Sequence, residues 1–369
     1  MGLEFTWKTT LEDLNGVSER DPFYLRINPA KRTIEKMAPE TEASNILIYQ
    51  NGSAHNRGHA AFGGGTRTSD GRVFLVPHNS GHIGVCDRYG LEYSDFQIDT
   101  TGEAQYIGAA HKQKNEYYES YEKLYLLPNS AGSVVIFDFI YSEQSILGED
   151  EYYQRLGAFA GTVELERGTQ GGPIKSIVCA PHNSEYVMMV DIVNEYITSG
   201  PQHGMGEEAF YGAIAQDGKE RAVFVPYSSA YIAEYSIQDN YFEATTEHHE
   251  GERAFAGGAY INDGINVFVP YDSEYIGLYN FNSREYERGP KHGQGLEAYK
   301  GCEKIGRYVV FAPYNAKRIG IYDTLENRFI AGPEHNQGEG AFCDAIYLGG
   351  RSILFVPFNS QNIGLAYVK

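Results

Sequence analysis

Five histidines recur in one phrase, His-x-x-Gly-x-x-Ala-Phe/Tyr: His55, His203, His248, His292 and His335. Imidazole can ligate a transition metal or move a proton near neutral pH, so a set of five raises both chemistries. Carboxylates stand two or three residues before the aromatic of the phrase (Glu103, Glu207, Glu208, Glu252, Glu297, Glu339), the makings of an acidic ring. A third set follows a recurring proline by five residues and changes type each time: His82, Ser133, Tyr186, Tyr231, Tyr275, Arg318 and Asn362. Positions that build a repeat stay constant. This one varies, and three successive members are tyrosine, an aromatic arc suited to stacking on a sugar or gripping a peptide.

The elements that must position these groups are set by that proline. Pro77, Pro128, Pro181, Pro226, Pro270, Pro313 and Pro357 lie 43 to 53 residues apart. A β-branched residue follows each by six positions (Ile83, Val134, Val187, Ile232, Ile276, Ile319, Ile363). An apolar run precedes each proline and a polar pair such as Asn79-Ser80 follows it, which reads as strand, turn, strand. In the fifth unit four strands are legible, at 254–259, 267–269, 276–279 and 284–287, with turns at Asn262-Asp263-Gly264 and 280–283. The first strand of each unit is rich in Gly and Ala, as the strand nearest a narrow axis should be. The expected fold is all-β, a seven-bladed propeller of four-stranded blades over residues 45–369. The last unit stops one strand short, and residues 45–50 can supply it and close the ring. Residues 1–44 lack the repeat; they carry a candidate hairpin at 23–34 and form an arm that would anchor the body to a neighbour.

This architecture limits the chemistry. Equivalent positions of different blades are spread around a circle, so five same-position histidines do not converge on one ion. They read as local clasps between strands, with no metal and no cofactor expected. Blade one alone, with His55, His59, His78 and His82 in loops of one face, leaves a transition-metal alternative open. The histidine loop and the proline loop share a face of the disc, and ligand or receptor contacts are expected there, at Tyr186, Tyr231, Tyr275, Arg318, His82 and Asn362. Long acidic, tyrosine-rich insertions at 112–123 and 142–153 read as longer hairpins or as a partner-contacting edge.

Charge and composition exclude several classes. A net charge of −19 opposes nucleic acid and anionic membrane as partners. Met1–Lys8 has neither the basic start nor the apolar run of a signal peptide, and no stretch is long enough to span a bilayer. Cys86, Cys179, Cys302 and Cys343 sit in apolar strand text without metal spacing and read as reduced core residues. No nucleophile elbow, zinc-protease motif, phosphate loop or dinucleotide fingerprint occurs, although carboxylates paired across blades would leave no spacing to find.

Two resemblances follow from these residues. The histidine loop resembles that of WD-repeat propellers, where a Gly-His pair bonds an Asp in a nearby turn; the acceptor here would be the Asn, Asp or Ser after the proline. The Trp-Asp ending of that family is absent. The phrase Val-Phe-Val-Pro-Tyr-Asp-Ser-Glu-Tyr-Ile-Gly-Leu-Tyr-Asn at 267–280, preceded by Ala-Phe-Ala-Gly-Gly, is similar to propeller repeats of bacteriophage virion proteins. That likeness implies a non-enzymatic virion surface component, in a tail, a fibre or a capsid decoration. Residues 1–44 would then bind other virion or assembly subunits, and the variable face a glycan or protein receptor. The alternatives are a cytoplasmic location, a propeller enzyme acting on glycans as hydrolase or lyase, and a purely structural scaffold.

Overall fold

The computed structural model describes residues 25–28, 33–36, 46–99, 103–116, 119–149, 156–168 and 174–369. Seven four-stranded antiparallel sheets succeed one another along the chain, each running from an innermost to an outermost strand. We number them blades 1 to 7: residues 62–97, 106–149, 159–202, 210–247, 255–291, 299–334, and 342–368 completed by 47–54. The outermost strand of blade 7 is Leu47–Ala54, which pairs with Asn362–Val368 from Leu47↔Val368 to Ala54↔Asn362. Closure by an N-terminal strand therefore holds, with the strand shifted to 47–54 from the expected 45–50. The expected hairpin in the arm is present as Leu25–Asn28 paired with Thr33–Lys36. The anchoring role assigned to residues 1–44 falls mostly outside the described residues.

Blade 5 shows why these sequences make strands. Ile265–Pro270 alternates Val267 and Val269 with Phe268, and all three are buried because a neighbouring blade covers each face. Phe268 and Tyr279 pack with Val225 and Ile232 of blade 4, whereas Val267 and Val269 pack with Tyr299 and Phe311 of blade 6. The core is thus a set of apolar seams between blades, and the outermost strand Glu285–Lys291 faces solvent with charged residues. Asp263 and Gly264 both have positive φ between the paired Asn262 and Ile265, the conformation of a two-residue hairpin turn.

The innermost strands meet at the axis. A Cβ on Gly161, Gly212 or Gly257 would lie 2.7, 3.1 or 2.9 Å from the Cα of the corresponding glycine of the next blade, and all three have left-handed φ. Each strand bulges there, so no side chain fits. In blade 7 the equivalent residue is Asp344, whose carboxylate occupies the space beside Gly301 and Gly64.

Between blades runs a circle of backbone hydrogen bonds. The residue after each repeat proline donates its N–H to the residue before the inner-strand aromatic of its own blade, and its carbonyl accepts from the same position of the next blade. Tyr227 N–H to Ala209 and Ala254 N–H to Tyr227, at 2.9 and 2.8 Å, are one link. The pattern repeats through all seven blades and closes with Ala61 N–H to Phe358 at 2.9 Å. Beside it, the residue two before the aromatic has positive φ throughout, at Ala60, Ala104, Gly157, Glu208, Arg253, Glu297 and Gly340. At six of these seven positions a side chain of the preceding blade's proline loop holds the N–H of the turn, as Asn183 does for Glu208 at 2.8 Å and Asp272 for Glu297 at 2.8 Å.

The five phrase histidines are clasps, with one correction to the expected partner. Nε2 of His203, His248, His292 and His335 donates to the backbone carbonyl of Ser184, Ser229, Ser273 and Ala316 at 2.7 to 2.8 Å, and His55 does the same to Ser360. The acceptor is main chain, not the Asn, Asp or Ser side chain, which is why Ala316 serves as well as serine. Nδ1 accepts a backbone N–H two residues on, as from Glu250 to His248 at 3.1 Å, and this fixes the neutral Nε2–H tautomer. A further correction concerns the insertions. Residues 112–123 lengthen the inner hairpin of blade 2 (Tyr106–Glu116 with Glu119–Pro128), whereas Glu143–Glu149 is that blade's ordinary outermost strand. The remaining length lies in the connection to blade 3, partly outside the described residues, and in that blade's long hairpin (Phe159–Arg167 with Ile174–Pro181). The four cysteines are free.

Two measurements follow. His292→Ala removes two hydrogen bonds and should lower stability by about 2–3 kcal/mol at pH 7.5. Burial lowers the His292 pKa, so the unfolded chain takes the proton first as pH falls below about 6.5. The penalty in melting temperature should shrink between pH 7.5 and 5; a constant penalty contradicts the clasp. Asp344 has the opposite sign. Burial pushes its pKa up to about 7 from 3.8, so stability is lost as pH rises from about 4 through 7. Asp344→Asn should stabilise the fold at pH 8, on the order of 1–2 kcal/mol, and much less at pH 4. An effect independent of pH contradicts the axial burial of this carboxylate.

Candidate ligand site at the channel mouth

The backbone circle places seven side chains around the axis on the face of the proline and histidine loops. They are the residues that follow the prolines: His78, Asn129, His182, Tyr227, Tyr271, Tyr314 and Phe358. Six rings touch in sequence, His182–Tyr227–Tyr271–Tyr314–Phe358–His78, with centroids 5.4 to 5.8 Å apart. Asn129 alone interrupts the collar, its Nδ2 donating to the Phe159 carbonyl at 2.7 Å. His78 and His182 make the corresponding bonds from Nδ1 to the carbonyls of Tyr106 and Phe210, at 3.2 and 3.0 Å. A carbonyl can only accept, so Nδ1 carries the proton and Nε2 is left as an acceptor. Burial, with Lys300 adding to it, holds His78 down to about 4 and lowers His182, keeping both neutral.

One layer deeper, Tyr211 of blade 4 and Lys300 of blade 6 project from the innermost strands. The Lys300 ammonium lies over the rings of Tyr211, Tyr314 and Phe358, 4.6, 5.3 and 5.3 Å from their centroids. These rings come from three blades, so the ammonium sits inside the channel. Burial lowers the Lys300 pKa, opposed by Cys343, Asp344 and Glu297. Below it a cavity of about 190 Å³ is lined by Tyr211, the axial glycines, Cys343 and Asp344. Asp344 also lines a second cavity of about 400 Å³ with Glu303 and Arg67. Burial raises Glu303 to about 7, and Asp344 adds to the rise. Asp344 Oδ1 accepts from the Ala345 N–H at 2.8 Å, which moderates its own shift.

On the rim, Arg253 is paired with Glu297, lies 3.2 Å from Asp272, and covers the Tyr271 ring at 5.2 Å. Glu297 also accepts from Asn315 at 2.9 Å. Glu103, Glu207, Glu208, Glu252 and Glu339 are exposed, so the acidic set is mainly a solvated rim. Among the described residues no three His, Cys, Asp or Glu side chains come together as metal ligands would. In blade 1, His55, His78 and His82 each spend a ring nitrogen on a different carbonyl, of Ser360, Tyr106 and Ser80.

The residues singled out by their variability lie elsewhere on this face. His82, Tyr186, Tyr231, Tyr275 and Arg318 open third strands and pair with the ends of outermost strands, as Tyr275↔Lys291 and Arg318↔Glu334; Asn362 opposes Ala54. They therefore follow the outer part of the disc, outside the collar. Tyr231 is 42% exposed. Tyr275 lies under Arg288 and Lys291, both 4.9 Å from its ring, and Arg318 pairs with Glu334 at 2.7 Å. The collar was missed because its residues are constant in kind, aromatic in six of seven repeats, and constancy was assigned to blade building. The signal was present: the residue before the proline ends a buried run, so the one after it turns toward the axis.

No family model and no curated protein matches the sequence. Solved structures do match. A catalytically inactive histidine-to-alanine variant of virginiamycin B lyase from Staphylococcus aureus, solved with quinupristin, has a TM-score of 0.68 at 14% identity, covering 88% of this chain and 100% of that one. A streptogramin B lyase gives 0.67 at 15% identity, over 89% and 100%. The extracellular domain of a putative one-component system from B. thetaiotaomicron gives 0.61 at 10% identity, over 92% of this chain and 46% of that one. At these identities the likeness establishes the fold alone, a seven-bladed β-propeller, and lends no support to the expected kinship with virion proteins.

Proposed function

We propose that the protein is a binding propeller whose ligand docks at the channel mouth. The carrying observation is the collar of six touching rings around the axis, each with its backbone held on both sides by the interblade circle. Aromatic faces held rigid lose little entropy on binding and suit a planar or sugar-like group. The outer residues Tyr186, Tyr231 and Tyr275 supply a broader rim for a larger partner, a glycan or a protein. Attachment of the protein to a virion through residues 1–44 is the finer form of this reading, and only the wording of the repeat supports it.

An enzyme acting on glycans is the second reading. Asp344 and Glu303 line one cavity, and burial raises each to about 7, a range in which a carboxylic acid can give or take a proton near neutral pH. The fold shared with two lyases adds analogy only. Binding through the mouth is preferred because the rings and the Lys300 ammonium lie there, on the collar side of Asp344.

The test compares two variants against a panel of glycans and small aromatic acids. Tyr271→Ala with Tyr314→Ala should weaken any ligand found by at least about tenfold, about 1.4 kcal/mol, with a modest change in melting temperature. Tyr186→Ala, Tyr231→Ala and Tyr275→Ala together should leave a small ligand unaffected. The reverse ranking moves the site to the outer rim and refutes the collar.

A further inference from the structure

Lys300 is a cation without a counter-ion. Its ammonium carries three N–H donors, and among the described residues it has aromatic faces as neighbours and no oxygen within hydrogen-bond or ion-pair distance. Three π faces offset part of the lost hydration, but they accept hydrogen bonds poorly. The carboxylate that acts on it most strongly, Asp344, sits at the next layer of the axis and is itself held by backbone N–H groups of Ala345 and Gly65. Glu297 is committed to Arg253 and Asn315. A side chain of this kind at the foot of a ring-lined mouth has its three N–H donors placed to meet an acceptor entering along the axis.

We propose that Lys300 anchors the carboxylate of a planar or ring-bearing ligand whose apolar part stacks within the collar. The inference rests on the channel mouth being the site and adds the ligand's class. A monoanion fits better than a phosphate. One ammonium supplies all the positive charge at this depth, while Asp344 below and Glu297 on the rim oppose a second negative charge. His78 and His182, neutral and offering Nε2 as acceptors, add no positive charge. Tyr211 and Tyr314 close the sides. The Asn129 gap in the collar leaves one flank without a ring, where substituents on the ligand would emerge. Lys300 also reaches from blade 6 to the Tyr211 ring of blade 4, 4.6 Å from its centroid, which sets the depth at which the carboxylate is held.

Benzoate and its neutral isostere benzamide test the inference on the full chain by isothermal titration. Wild type should bind benzoate at least about tenfold more tightly than benzamide. Lys300→Met, which keeps the length of the side chain among the rings, should bring the two probes to equal affinity. Lys300→Gln provides the same comparison should the methionine variant fold poorly. Asp344→Asn should strengthen benzoate, because it removes the competing carboxylate. Equal binding of both probes to wild type overturns the anchor; if Tyr271→Ala then abolishes that binding, the collar stands without it. Failure of benzoate to bind, or a benzoate preference that survives Lys300→Met, also overturns the proposal.

Discussion

The circle of backbone hydrogen bonds at the channel mouth is the interaction on which the rest depends. Each link uses both main-chain groups of one residue, the N–H within its blade and the carbonyl to the next. Neighbouring blades also meet through apolar seams and through side-chain bonds such as Gln216–Asn266 and Tyr279–Glu234. Six blades place alanine before the inner-strand aromatic, and Ala61, Ala158, Ala209, Ala254, Ala298 and Ala341 are fully buried there, while blade 2 makes the same link with Gln105. The circle also forces the preceding residue into a left-handed turn, whose strain is offset in six blades by the side-chain acceptor from the blade before. The histidine clasps then tie the outermost strands of blades 3 to 7 back to the same loop. Proline, asparagine, serine, histidine, glycine and alanine of the repeat are thereby all spent on one face of the disc.

That expenditure gathers seven side chains around the channel mouth. A residue whose backbone is held on both sides presents its side chain to the axis with little freedom, and six of the seven such side chains are aromatic. Departures from the repeat concentrate around the same axis: Tyr211 and Lys300 project into the channel, and Asp344 stands where other blades have glycine. Lys300, partly buried among aromatic faces, and a carboxylate on the axis are departures that the repeat itself does not call for.

Much of the fold was legible in the sequence, because propeller blades repeat and a repeat exposes its own constraints. The seven prolines and the β-branched residue six positions on fixed the number of blades, and Gly-rich first strands fixed which end faced the axis. The pairing of the N-terminal strand with Asn362–Val368 followed from one missing strand. Two things could not be read. The acceptor of the clasp histidines is a main-chain carbonyl, and sequence carries no mark of main-chain partners. The collar was hidden by an assumption that variable positions act and constant ones build. In a ring, one repeat position gathers seven side chains around the axis, whereas Tyr186, Tyr231 and Tyr275 sit apart where third strands meet the outermost ones.

Tyr271 and Tyr275 are four residues apart, on the inner and outer part of the same loop, and they separate the account from its rival directly. Fluorotyrosine placed at each in turn, followed by fluorine NMR during titration with a ligand, reports which end of the loop is touched. The account predicts that the signal at Tyr271 shifts with saturation while that at Tyr275 stays in place. A shift confined to Tyr275 would contradict it and return the binding site to the outer rim.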